Sequence, residues 1–255
     1  MSEASADAIP TGSSYMLVEH HGRNWADAEK SPVNDEDDAM CWAAAASNVL
    51  EWTGWGKVDG INGTDQIFAH FQDHWTDGSG WPDMAWQWWF DGTDRGAHSY
   101  VDVPGGGAFY TEEDWATHYH KSSILSNSMA AIDEFLHAGY GIALGLAGDA
   151  NHMITGWGFN YNPDDPQDYW GVWVTDSDDD KNQTNPPDRL RYYEVEWTPG
   201  GLHGGRYYLR DYFGLDNIFL ANVYAFEPVP EPAVLSLLLV GAAPGLIRRR
   251  RRRHR

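Results

Sequence analysis

The sequence predicts an α+β fold in two lobes, a helical lobe over about 25–139 and an antiparallel β-rich lobe over 140–226. Three observations predict it. Segments bounded by helix start and stop signals crowd into the first half of the chain. After Gly139, short runs rich in β-branched and aromatic residues take over. The stretches between those runs are rich in Asp, Asn, Pro and Gly, the residues that make turns. Helices first and strands second give an α+β layout rather than alternating βαβ units. No internal repeat of roughly 20–50 residues is visible, which removes solenoids and propellers. The break at Ala138-Gly139-Tyr140-Gly141 divides the lobes and leaves a cleft between them.

Residues 1–40 are polar and rich in turn formers, with one short strand expected at Tyr15–Glu19. Asp38 precedes an Ala-rich run from Met40 to Trp52 that Gly54 stops, a helix of about 13 residues, because Ala is the best helix former and Gly a common terminator. Further helices are expected at Asp65–Trp75, Pro82–Phe90, Glu112–Tyr119 and Asn127–His137. Strands are expected at Gly141–Leu146, Met153–Tyr161, Trp170–Thr175, Arg191–Trp197, Arg206–Tyr212 and Ile218–Phe226. Trp81, Trp86, Trp88, Trp89 and Phe90 recur at roughly helical spacing, which reads as packing, with a sugar or peptide groove as the alternative.

The 255 residues are 42% hydrophobic and 14% aromatic, enough for a packed core. The net charge is -21, which repels phosphate backbones and argues against a nucleic-acid partner. That charge is unevenly spread. Seven of the 17 basic residues are the arginines at 248–253 and 255, leaving 10 basic against 38 acidic residues over 1–247, a net charge of -28. A single cysteine, Cys41, excludes an internal disulfide framework and multi-cysteine zinc sites.

Residues 227–255 separate from the body at Pro228, Pro230 and Pro232, which cannot continue a strand or helix ladder. Then comes an apolar stretch, 233–247, of 15 residues, against about 20 for a comfortable membrane-spanning helix, followed by the arginines. Val229-Pro230-Glu231-Pro232, an apolar segment and an arginine cluster, in that order, resemble the PEP-CTERM sorting signal of Gram-negative bacteria. The resemblance implies transient membrane insertion through 233–247 with the arginines on the cytoplasmic side, and an exosortase partner that removes the tail. It also implies delivery to the cell envelope or exterior. Met1 to Tyr15 contain no apolar export segment, so one is expected upstream, with Ala4-Ser5-Ala6 and Ala6-Asp7-Ala8 looking like cleavage sites.

In an exported protein an unpaired thiol needs an explanation, because it is exposed to oxidation and mispairing. Cys41 follows Asp37-Asp38-Ala39-Met40 at the expected start of a helix, where free N–H groups and the macrodipole favour a thiolate and an oxyanion. The two aspartates oppose that unless they point away. A thiol nucleophile needs an imidazole and a third group to hold it. Among the 11 histidines, His152 stands at the start of a strand after a Gly-rich turn, and the next strand ends at Asp176. If those strands form a hairpin, His152 and Asp176 meet at one end of it. Asp178, two residues on and on the same face, is the alternative third member.

Asp37-Asp38-Ala39-Met40-Cys41-Trp42 with the following Ala-rich run to Asn48 and Trp52 resembles the nucleophile helix of the Mac family of immunoglobulin-G-cleaving streptococcal cysteine endopeptidases. Asn151-His152-Met153-Ile154, Trp157-Gly158 and Val174-Thr175-Asp176-Ser177-Asp178 resemble its histidine strand and acidic segment. Trp25-Ala26-Asp27-Ala28-Glu29-Lys30 resembles its Trp-x-Asp-x-x-Lys stretch. The resemblance spans 25–180 and implies a papain-like fold over 25–226, after an N-terminal segment at 1–24. It implies Cys41 as nucleophile, His152 as general base and acid, Asp176 as the group orienting the imidazole, and Lys30 assisting the Cys41 N–H at the oxyanion. A surface salt bridge is the alternative for Lys30.

The activity so implied is hydrolysis of a protein or peptide through a thioester, with no cofactor or metal. Immunoglobulin cleavage is not expected, since the family's antibody specificity rests on extended contacts beyond these blocks and nothing in the sequence shows them retained. A surface binding module for carbohydrate or protein and an acyltransferase are the competing readings. Oxygen-bearing residues alternate over Asp176–Asn182 as in a calcium loop, but the sixth position lacks Gly and Pro187 stands where a bidentate Glu belongs, so a solvated acidic loop fits better.

Overall fold

The computed structural model describes residues 5–6, 11–17, 25–31, 37–96, 98–179, 188–200 and 204–230. The sorting-tail segments at 231–255, the last residues of the calcium-like run and the proposed cleavage sites at 4–8, apart from Ser5 and Ala6, lie outside them.

Five α-helices are present among these residues: α1 (Cys41–Thr53), α2 (Thr64–His74), α3 (Pro82–Asp91), the single turn α4 (Trp115–His118) and α5 (Ser128–His137). Every residue of α1 from Trp42 to Thr53 is buried, and the helix packs on α2, α3 and two strands of the sheet. That surrounding explains its alanines, since small side chains let neighbours approach from all sides. Gly54 ends α1 in the left-handed conformation (φ 87°) that glycine adopts without strain, and its N–H bonds Glu51 O at 3.2 Å. The expected helix at Glu112–Tyr119 shrinks to α4, and Tyr119 opens a strand instead.

The strands are β1 (Ser5–Ala6), β2 (Ser14–Leu17), β3 (Tyr119–Ser122), β4 (Gly141–Gly148), β5 (His152–Asn162), β6 (Asp165–Thr175), β7 (Arg189–Thr198), β8 (Arg206–Leu209) and β9 (Ile218–Phe226). From β4 to β9 each strand pairs antiparallel with the next, and β9 pairs back with β4. Six strands therefore close on themselves into a barrel, which removes sheet edges. Outside the ring, β2 adds to β5, β3 to β9, and β1 runs parallel to β7.

This closed barrel corrects the expected fold. A helical lobe facing an antiparallel β lobe, in the papain-like manner, is not what forms. α5 and β3 precede Gly139, yet α5 packs Met129, Ile132 and Leu136 into the same core as the barrel residues Ile142 and Val223, and β3 extends the sheet at β9. Conversely Ala143, Met153, Tyr224 and Phe226 from the strands share a core with α1, α2 and α3. Neither half of the chain buries its apolar face alone. The physical reason is the closure of the ring by β4 with β9, which sets Gly141 beside Phe226 and Gly148 beside Ile218 and so leaves no local signal.

Within the second core Trp86, Trp88 and Trp89 are at most 2% exposed, each contributing on the order of 3 kcal/mol of burial. Trp81, 51% exposed, stays out of that core. A buried polar cluster pins α1 to the barrel. Asn48 Nδ2 donates to Thr155 Oγ1 on β5 at 2.9 Å and reaches Thr175 Oγ1 on β6 at 3.4 Å. Thr175 also accepts from the Trp157 indole at 2.9 Å and donates to Ala26 O at 2.9 Å. These bonds set where the start of α1 lies relative to the first residue of β5 and the last of β6. At the far end of α1 the chain returns, with Glu227 N–H bonded to His118 O and Val229 N–H to Thr53 O, each at 2.9 Å, so the first residues of the expected tail dock on the body instead of separating from it.

Candidate active site

The turn ahead of α1 is held from three directions. Asp37, fully buried, accepts Met40 N–H at its carbonyl, while its carboxylate accepts Ser31 N–H at 2.7 Å and Gln72 Nε2 at 2.8 Å. Its charge is thus engaged away from the helix start. Met40 is the N-cap and supplies no side-chain cap, while its carbonyl accepts Ala43 N–H at 2.9 Å and Ala44 N–H at 3.1 Å. Cys41, the first residue of α1, is half-buried.

His152 opens β5 and Asp176 follows β6, and the antiparallel register Thr155↔Thr175 brings both to one end of the pair. The expected hairpin forms, with only residues 163–164 between the strands. His152 Nε2 donates to Asp176 Oδ1 at 2.7 Å. Cys41 lines the same cleft as His152, and its side chain helps to raise the imidazole. Asp178 Oδ2 is 3.8 Å from Nδ1. Of the two candidate acids, Asp176 makes the short bond.

Burial of His152 favours the neutral ring, but the Asp176 charge and hydrogen bond, helped by Cys41, outweigh it and hold the imidazole well above the ordinary histidine range. Burial alone would push Asp176 up. The His152 charge, with hydrogen bonds from His152, the Tyr212 hydroxyl and Asp178 N–H, reverses this and keeps the carboxyl below its ordinary value.

Lys30 is 2% exposed, and its ammonium bonds Asp38 O at 2.8 Å and Asp178 Oδ1 at 2.6 Å. Its backbone N–H bonds Ser177 O at 3.1 Å. Lys30 therefore joins the turn before Cys41 to the segment after Asp176 and does not line the cleft. His152, Asp176 and Asp178 present atoms within 4.8 Å of one another, a spacing a divalent cation could bridge. The Lys30 ammonium already neutralises Asp178.

Cys41 and His152 open onto a cleft of about 350 Å³ whose walls include Trp81, Met84, Leu146 and Met153, with Asn151 and Asn222 as polar groups. The 78–80 segment forms one wall because Gly80 lies against the Trp42 ring, where an added Cβ would come within 2.7 Å. The Trp42 indole N–H donates to Gly78 O at 2.8 Å and fixes that approach.

One supporting residue escaped sequence reasoning. Tyr212, 2% exposed, donates its hydroxyl to Asp176 Oδ2, and burial together with the Asp176 charge pushes its phenol up, so it remains a donor. Asp211 (φ 54°) and Phe213 (φ 49°) on either side adopt the left-handed conformation, at a cost of about 1–3 kcal/mol each. Nothing in Asp-Tyr-Phe-Gly advertises this. Tyr212→Phe is expected to raise the Asp176 carboxyl toward its ordinary value. Stability supplied by a depressed carboxyl is present above its unfolded pKa and lost as pH falls through the folded one. The acid arm of a Tm-versus-pH curve should therefore move to higher pH. Curves that stay parallel would show that the hydroxyl does not act on Asp176.

A scan against protein-family models and a search of curated proteins each return no match for this chain.

Proposed function

We propose that the protein is a cysteine endopeptidase that hydrolyses peptide bonds through a thioester. The observation that carries this reading is the line Cys41, His152, Asp176, the first two on one cleft and the buried carboxylate behind the imidazole, holding it well above the ordinary histidine range. Two of the three sequence blocks that resemble the Mac endopeptidases contain these residues, and that resemblance supports the reading.

In this mechanism Cys41 Sγ attacks the substrate carbonyl carbon and the carbonyl electron pair moves onto oxygen. The Cys41 backbone N–H, at the positive end of α1, stabilises that oxyanion. Lys30 adds positive charge from behind the site and keeps Asp178 from presenting a bare carboxylate to the thiol side of the ring. His152 gives its proton to the leaving amine, the C–N bond breaks, and a thioester remains. Water then loses a proton to His152 and attacks the thioester, releasing the acid and restoring the thiol. Asp176 holds the ring and stabilises its charge without taking the proton.

The sorting-tail resemblance extends the proposal to an exported enzyme whose tail an exosortase removes. The thiol supplies a direct test. Iodoacetamide should modify Cys41 of the folded protein quickly at neutral pH, and at least about tenfold more slowly in His152→Ala. A thiol that stays inert until the protein unfolds would sink the proposal.

A further inference from the structure

We propose that the groove formed by β6, β7 and β8 at the β5–β6 turn binds a neutral oligosaccharide of pyranose rings with equatorial hydroxyls. A groove of about 540 Å³ lies there and shares no lining residue with the Cys41 cleft. Its floor is aromatic. Trp197 on β7 is 43% exposed, an unusual position for the largest side chain unless its face is used. The indole is held in place rather than merely left over. It lies so close to Gly205 that an added Cβ there would meet the ring at 2.1 Å, and Tyr207 packs beside it with centroids 4.8 Å apart. A rigid aromatic plane open on one side is the surface on which the C–H face of a sugar ring stacks.

The rim supplies hydroxyl partners already oriented. Asp168 Oδ2 accepts from Asn162 Nδ2 at 3.0 Å and from the Trp170 indole at 3.3 Å, which fixes a carboxylate at the groove edge. Gln167 lines the same edge with an amide. Arg210 is paired with Glu196 at 2.7 Å, which brings a donor and an acceptor together with no net charge. Asp165, Asp168 and Glu196 outweigh the Arg210 guanidinium in the groove, so an anionic ligand is repelled. A neutral polyol with an apolar ring face satisfies both the floor and the rim. This inference does not depend on the peptidase reading, because no residue is shared.

Cellohexaose and chitohexaose are the probes, titrated into the full chain by calorimetry and followed by tryptophan fluorescence. One of them is expected to bind with a Kd of about 0.1 mM, to weaken at least about tenfold in Trp197→Ala, and to bind Cys41→Ala unchanged. Gln167→Ala, exposed and outside the core, should weaken binding even if Trp197→Ala fails to fold. Absence of saturable binding to either sugar overturns the proposal, as does affinity unchanged by both variants. Binding of oligolysine or oligoglutamate in place of the sugars overturns the ligand class.

Discussion

Cys41→Ala is expected to lower peptide hydrolysis by at least about 10⁴-fold, because every covalent step of the proposed mechanism passes through that sulfur. The fold should hardly notice. Cys41 is only half-buried, it stands at the first position of α1, and alanine is at least as good a helix former. A denatured protein mixture digested with the wild type and with the variant, and analysed by mass spectrometry, reads the effect directly. Identical cleavage profiles would refute peptidase activity. Product masses also separate hydrolysis from acyl transfer, because a transferase leaves the acyl group on an added amine where a hydrolase leaves a free acid.

The second large effect is expected at Asp176. Asp176→Ala strips the hydrogen-bond partner from His152 Nε2, from the Tyr212 hydroxyl and from Asp178 N–H, all within a closed site. Leaving a buried cation without its counter-charge costs about 3–5 kcal/mol, enough to lower Tm by roughly 10 °C in a protein of this size. The pH dependence of that loss carries the sharper prediction. His152 is raised in the folded protein, so its contribution is complete below the ordinary histidine value and disappears as pH rises through the raised one. Asp176 is lowered, so its contribution is complete above the ordinary aspartate value and disappears as pH falls through the lowered one. The gap in Tm between wild type and Asp176→Ala should therefore be widest from about pH 4 to 6 and narrow on both sides. A gap independent of pH would mean that packing, and not the ion pair, is what the substitution removes. Histidine NMR gives a second reading, since the His152 titration should fall toward ordinary values in the variant.

Much of the site was legible because its parts are local. A lone thiol at the start of an Ala-rich helix, a histidine opening a strand and an aspartate closing the next one are patterns within short windows, and hairpin geometry alone brings His152 and Asp176 together. The position of Lys30 was legible, but its partners were not. Asp178 and the Asp38 carbonyl become its neighbours only when the 25–31 segment lies beside the end of β6. Tyr212 is the extreme case, since 36 residues and two further strands separate it from Asp176. Asn48 left a faint trace, an amide inside a helix where propensity disfavours it, which pays off only through two threonines on the barrel. Of the aromatic cluster read as packing, Trp86, Trp88, Trp89 and Phe90 are core, while Trp81 is exposed and lines the cleft, and Trp197, an ordinary strand residue in sequence, lines a second groove.

What the sequence by itself determined is the set of elements and the chemical identity of the candidate site. Periodicity, caps and turn residues act over a few positions, so α1 and its stop at Gly54, and strands β4 to β9, could be placed from local physics, with α4 and the ends of several elements as the exceptions. The tertiary structure alone decided the architecture. Whether six strands stay open as a lobe or close into a barrel depends on β4 pairing with β9, Gly141 beside Phe226 and Gly148 beside Ile218. It depends also on α5 and Trp52 burying themselves against the barrel instead of within a helical lobe. Those are contacts between distant residues, whose free energy comes from apolar surface that no single segment can hide by itself.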